Sequence, residues 1–208
     1  MKEMTKVRII GDVHGYKQPY LKLASQADFS VQLGDMDFNY AHLRELDPLN
    51  HCFVPGNHDN YHALPAHALE GTHGICKLGD FEFMYVRGAL SVDKHHRLID
   101  VSWWEEEEMM YEDGLKTIAF ALNNKPKVIL SHDCPFSVYD RVVTNEYKLV
   151  GSRTATILQS IFELHQPDLW VFGHHHKDIK FEVDGTTFIC LNELSYLDYP
   201  DLTINKFI

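Results

Sequence analysis

Asp, Asn and His gather in five short clusters along the chain: Asp12-Val13-His14, Gly34-Asp35, Gly56-Asn57-His58-Asp59, Ser131-His132-Asp133 and Gly173-His174-His175-His176. Carboxylate oxygens and imidazole nitrogens without thiolates form a donor set suited to borderline cations such as Mn, Fe, Zn, Co or Ni rather than to an all-oxygen calcium cage. In extended backbone, residues two apart project to the same side, so Asp12 and His14 can meet one cation. The same spacing relates His174 and His176, and there two readings stay open: both rings on one ion, or one ring on each of two. Taken singly, each cluster is as readily a hydrogen-bonded turn. Five of them with a shared placement point to one site.

That placement is the end of a short apolar run. Residues 7–10, 31–33, 52–54, 128–130 and 169–172 each precede a cluster and read as buried strands. Between the first two, residues 18–27 carry Leu21, Leu23, Ala24 and Ala27, enough for a crossover helix and hence a parallel β-α-β unit. Ligands of open α/β sheets collect at this carboxyl edge. Residues 75–78 and 81–86 around Gly79-Asp80, and residues 179–183 and 186–191 around Asp184-Gly185, read as hairpins, which predicts a mixed sheet. Ser102 stands three residues before Glu105, a capping-box spacing, so a helix is expected to start near Trp103 with Glu105, Glu106, Glu107 and Glu108 in its first turn. Leu115, Ile118, Ala119 and Leu122 continue at helical spacing, with Asp113-Gly114 as a point of division into two helices. A further helical pattern runs through Ala155, Leu158, Ile161, Phe162 and His165 to Pro167. No repeat, linker or low-complexity segment appears, so residues 1–208 are expected to form a single domain.

The 208 residues are 45% hydrophobic and 24% charged, too apolar for a disordered tail. No apolar run approaches the roughly 18 residues of a membrane span, and a globular protein without membrane contact is expected. Nineteen Lys and Arg against thirty Asp and Glu leave a formal charge of −11, which disfavours a broad grip on duplex nucleic acid. A polyanion would need bound metal to dock, and fourteen His offer ligands for it. Cys52, Cys76, Cys134 and Cys190 are widely spaced, with no CxxC pair, and read as reduced thiols. The stretch from Met1 to Lys6 and the short apolar run after it leave no room for a secretory leader before Asp12, so a cytoplasmic location is expected.

GDVHG at 11–15, GD at 34–35, GNHD at 56–59, the separate His132 and GHHH at 173–176 resemble the ordered signature of the calcineurin-like metallophosphoesterases, spanning residues 11 to 176. The resemblance implies an α/β fold, a four-layer αββα sandwich of two mixed sheets flanked by helices. It also implies two divalent transition-metal ions, manganese foremost, with Fe, Zn, Co or Ni as alternatives. Carried over residue by residue, it implies that Asp12, His14 and His176 bind one ion, that Asn57, His132 and His174 bind the other, and that Asp35 bridges them. His58 then matches the catalytic His, protonating the leaving oxygen or stabilising phosphoryl charge, while Asp59 orients it or caps a turn.

The chemistry is consistent on its own terms. A carboxylate has two oxygens and can hold two cations roughly 3.5–4 Å apart, and a neutral Asn carbonyl completes a shell without excess charge. Two such cations lower the pKa of a shared water and neutralise the phosphate oxygens under attack, so no phosphoenzyme is needed. The implied activity is metal-dependent hydrolysis of a phosphate monoester or diester. The acidic charge favours a small phosphorylated substrate, such as a nucleotide, over extended duplex DNA. The alternatives are a nuclease or cyclic-nucleotide phosphodiesterase and, from another class, a metal-stabilised interaction module without turnover.

Departures from the pattern narrow it. Asp37 in GDMD sits one position early for the second acid of the serine/threonine phosphatase motif GDxVDRG, Phe38-Asn39 replace its Arg-Gly, and GNHD replaces GNHE. That branch is disfavoured. Arg87, Arg97, Arg141 and Arg153 are candidate phosphate clamps, each more simply a surface or ion-paired side chain. Trp103-Trp104 reads as core packing before a nucleobase wall. Residues 91–108 are similar to the stretch between the third and fourth motifs of uncharacterised bacterial and phage members of the family. His95-His96 reads as a surface pair, His175 as a non-ligand between two ligands, and Cys134 as packing rather than a nucleophile.

Overall fold

The computed structural model describes residues 5–143 and 151–207; residues 1–4, part of the stretch on which the expectation about a leader rests, lie outside it. Two mixed sheets pack face to face. The first has the order β11-β10-β1-β2-β3, in which β1 (Val7–Ile10), β2 (Phe29–Gln32) and β3 (His51–Phe53) run parallel. Antiparallel to β1 lies β10 (Ser195–Tyr199), followed by β11 (Asn205–Lys206) at the edge. These two strands carry no apolar run ending in a polar cluster, and no sequence pattern above marks them.

The second sheet has the order β4-β5-β6-β7-β9-β8. Its parallel core is β5 (Phe81–Val86), β6 (Val128–Ser131), β7 (Leu169–Phe172) and β9 (Thr186–Cys190). The edge strands β4 (His73–Leu78) and β8 (Ile179–Val183) complete the two expected hairpins. Alternation along the strands supplies both faces of each sheet. Val7, Ile9 and Val31 of one sheet meet Leu130, Val171 and Ile189 of the other, while Trp170, Phe172 and Phe188 face outward.

Helices cover the outer faces and complete four layers, αββα. Helix α1 (Lys17–Ser25), the β1-to-β2 crossover, lays Tyr20, Leu21, Leu23 and Ala24 on the first sheet against Ile10 and Phe53. On the second sheet, α2 (Tyr111–Asn124) and α4 (Arg153–Leu164) pack side by side, with the short α3 (Tyr139–Val142) beside them. Among the described residues no helix is long and apolar enough to cross a membrane.

The segment before α2 departs from expectation. The helix starts at Tyr111, not near Trp103, and residues Glu105–Glu107 form only a 3-10 turn. The Ser102 hydroxyl accepts the Leu98 backbone N–H at 3.0 Å, so it does not cap a following helix. Nor is the acidic run a solvated helix start: Glu105 and Glu106 are exposed, but Glu107 and Glu108 are buried against partners distant in sequence. Asp113-Gly114 does not divide α2. A Cβ on buried Gly114 would overlap Ile157 of α4, so the glycine permits close helix contact at a propensity cost of about 1 kcal/mol.

Candidate metal centre

The loops after β1, β2, β3, β6 and β7 converge at the carboxyl edge of both sheets. They bring the expected donor atoms into two groups, Asp12, His14 and His176, and Asp35, His132 and His174, and Asp133, Cys134 and His175 form a third, the atoms of each lying within 4.8 Å of one another. His174 and His176 thus join different groups. Asp12 and His14 do share a group, though not through extended alternation, because His14 turns into the left-handed region with φ 45°. Asp35, His174 and His176 also adopt positive φ, at 59°, 62° and 50°. Such backbone is costly for residues with a Cβ and gathers where tertiary contacts over-determine it.

In the first group His176 Nε2 lies 3.1 Å and His14 Nε2 3.7 Å from Asp12 Oδ2, and the two imidazole nitrogens are 2.9 Å apart. In the second, His132 Nε2 lies 3.2 Å from Asp35 Oδ1 and 2.9 Å from Asn57 Oδ1. Asp35 faces both groups, since its Oδ2 is 3.5 Å from His14 Nε2. Its Oδ1 also accepts the His58 backbone N–H at 2.7 Å. Asp12, Asp35 and His132 are buried, whereas the His14 and His176 side chains are 23% and 43% exposed, so the centre opens to solvent on that side.

These residues fit a divalent cation. His132 Nδ1 is 2.6 Å from the Leu33 carbonyl and donates to it, so a neutral ring turns the Nε2 lone pair toward two oxygen acceptors. Two nitrogens bound to one ion at about 2.1 Å and at right angles would stand about 3 Å apart, close to the His14–His176 separation. Ion-free, the groups answer by holding protons. Burial opposes charge on His14, but Asp12 and Asp35 outweigh it and raise the pKa to about 9. Burial likewise opposes charge on His132, and Asp35 drives it up to about 10. Burial pushes Asp12 up, but its His14 and His176 partners pull it down to about 2, and burial takes His174 down to about 3.

The motif glycines leave room for the carboxylates. A Cβ on Gly56 would overlap Asp35 Oδ1, and one on Gly173 would overlap Asp12 Oδ1.

His58 stands beside the first group, its ring centroid 5.5 Å from that of His14, and burial lowers its pKa. Among the described residues its ring makes no hydrogen bond. Asp59 is turned away from it: Oδ2 accepts from the backbone of Asp35 (2.9 Å) and Gly56 (2.8 Å), and Oδ1 from Met36 N–H and the Tyr40 hydroxyl (each 3.1 Å). The carboxyl thus ties the second loop to the third. Burial raises its pKa to about 7.

Other named residues lie around the centre. His175 Nε2 is 3.1 Å from Asp133 Oδ1, and Tyr139 donates to Asp133 Oδ2 at 2.7 Å, a buried cluster outside both groups. Cys134 is fully buried, which pushes its thiol well above the ordinary value. Arg153 pairs with Glu108 at 3.8 Å, Arg87 lies over the Tyr61 ring at 4.8 Å, Arg141 is exposed, and Asp37 pairs with Lys17 at 3.4 Å. Trp104 is core, 1% exposed against Phe38, while Trp103 is partly exposed.

Arg97 is no free clamp. Its side chain is 7% exposed and its guanidinium meets Ser91, Glu107 and the Asn57 carbonyl. Ser91, Glu107 and Glu193, the last 3.6 Å from His176 Nδ1, were not legible as site neighbours, since none belongs to a motif.

Over residues 5–178 the chain matches the calcineurin-like phosphoesterase family model, and it belongs to that family. Among solved structures it is similar to a phosphopantetheinyl hydrolase from Mycobacterium tuberculosis, with TM-score 0.53 and 14% identity over 91% of this chain and 90% of that one. It is also similar to a putative 5'-nucleotidase from Staphylococcus aureus, with TM-score 0.51 and 12% identity over 97% of this chain and 53% of that one. At these identities the likeness is one of fold. No match is found among curated proteins.

Proposed function

We propose that the chain hydrolyses a phosphate ester, a monoester or diester of a small phosphorylated molecule, with two divalent cations in the centre described above. The observation that carries this reading is Asp35, whose two carboxylate oxygens face different ligand groups, 3.5 Å from His14 and 3.2 Å from His132. In this reading it is the bridging ligand, Asp12, His14 and His176 hold one ion, and Asn57, His132 and His174 hold the other. A pair of divalent ions, manganese foremost, would supply positive charge against the phosphate oxygens and a nucleophile from water near neutral pH.

The chain's own groups supply the rest. Asp12 and Asp35, both held ionised by neighbouring imidazoles, offset the ions' charge in a buried place. His58, whose ring nitrogens have no hydrogen-bond partner among the described residues, stands beside His14, and in this reading it passes a proton to the leaving oxygen or steadies charge on the phosphoryl group. Asp59 acts through the loops it ties, as a positioning residue. A formal charge of −11 favours a compact substrate, such as a nucleotide, over long duplex DNA.

The test is turnover of nitrophenyl mono- and diesters with added manganese. Asp35→Asn and His58→Ala are each expected to lower hydrolysis by about 100-fold or more with the circular dichroism spectrum unchanged. Wild-type rates in both variants would reject the assigned roles, and ion uptake without any turnover by the unsubstituted chain would point instead to a metal-stabilised interaction module.

A further inference from the structure

We propose that Ser91, Arg97 and Glu107 are positioning residues that set which end of the Asn57 side-chain amide faces the second ligand group; the inference rests on the reading of Asn57 as a ligand. An amide is nearly symmetric in shape but not in chemistry, because its oxygen can bind a cation and its nitrogen, a donor, cannot. A half-turn of that amide would remove a ligand without altering the packing. In the structure Nδ2 donates to Ser91 Oγ at 3.0 Å, which leaves Oδ1 at 2.9 Å from His132 Nε2.

The direction is decided at the Ser91 hydroxyl. A hydroxyl has one proton and two lone pairs. Arg97 Nη1, which can only donate, takes one lone pair, and in this proposal the proton goes to the neighbouring Glu107 carboxylate, which accepts the Ser91 backbone N–H and, raised by burial to about 7, is ionised above that pH. Ser91 therefore offers Asn57 a lone pair alone, and the amide must present its N–H. Bulk solvent does not reach this contact, because Asn57, Ser91 and Glu107 are 3%, 2% and 1% exposed. Arg97 and Glu107 also hold the frame: Nη2 donates to the Asn57 carbonyl at 3.1 Å, Nη1 lies 3.4 Å from Glu107 Oε2, and Ser91 N–H donates to Glu107 Oε1 at 3.3 Å.

Manganese binding by calorimetry, with ion content measured directly, tests this on the full chain and its variants Asn57→Ala, Ser91→Ala, Ser91→Thr and Glu107→Gln. Asn57→Ala and Ser91→Ala are expected to weaken one of two ions by about 10- to 100-fold and leave the other unchanged, whereas Ser91→Thr retains both. Glu107→Gln, equal in size, should also weaken that one ion, since its amide can donate to Ser91 and free the Ser91 proton to turn Asn57 around. Should Glu107→Gln not fold, Ser91→Ala and Ser91→Thr carry the comparison. Wild-type binding in Ser91→Ala with selective loss in Asn57→Ala overturns the positioning role alone. Equal losses in Ser91→Thr and Ser91→Ala overturn it too, as an effect of packing. Wild-type binding in Asn57→Ala removes the ligand reading beneath it.

Discussion

His14 and His176 bring two imidazole nitrogens to 2.9 Å, and His132 brings a third against two oxygen acceptors. Such contacts require either protons on the rings or a cation between them. With His14 raised to about 9 and His132 to about 10, both rings carry a proton at neutral pH that an incoming ion must displace. Manganese binding should therefore release protons and tighten as pH rises from about 6 to about 8, whereas rings already neutral would release none and leave the affinity flat over that range. Titration calorimetry in buffers of different ionisation enthalpy reads this directly. Space is as tightly set as charge. Gly56→Ala would press a methyl group onto Asp35 Oδ1, so we expect loss of ion uptake at a stability cost of about 1–3 kcal/mol, seen by combining metal analysis with urea unfolding. At this scale the donor residues were legible because cation chemistry admits few side chains. The division of His174 from His176 was implied by the family resemblance but not by the spacing, because it depends on left-handed backbone that a two-residue interval does not reveal.

Among the elements, the acidic run before α2 is the most informative departure. It does serve a helix N-terminus, but that of α4: Glu108 Oε1 accepts from Arg153 N–H at 2.8 Å and Thr154 N–H at 3.4 Å, while Ser152 Oγ accepts from Ala155 N–H at 3.0 Å. A carboxylate there meets both free N–H groups and the positive end of the helix. Glu108→Ala should cost about 1–3 kcal/mol in denaturant unfolding and leave manganese affinity unchanged, since Glu108 touches neither ligand group. The local capping-box pattern pointed to the wrong helix because a carboxylate satisfies whichever N-terminus folding brings near. Strand runs and hairpin turns were legible, by contrast, since apolar runs and Asp-Gly or Gly-Asp pairs act within a few residues.

At the scale of the molecule, the ligand groups draw on both sheets. Asp12, Asp35 and Asn57 follow strands of the first, and His132, His174 and His176 follow strands of the second. Ions in the centre would tie the layers together and stabilise the folded chain. At free manganese about 100 times its dissociation constant, one site adds about 2.7 kcal/mol, which for a chain of this length raises Tm by about 5–10 °C. A thermal scan should show that rise, a chelator should reverse it, and Asp35→Asn should shrink it. What the sequence by itself determined was the kind of donors, their order and the apolar strands that end in them, because these are written in neighbouring residues. Only the tertiary structure decided how closely the donors of each group approach, how Asn57 turns its amide and which helix Glu108 serves. Those outcomes are contacts between distant positions, such as His14 and His176, 162 residues apart, and no local pattern contains them.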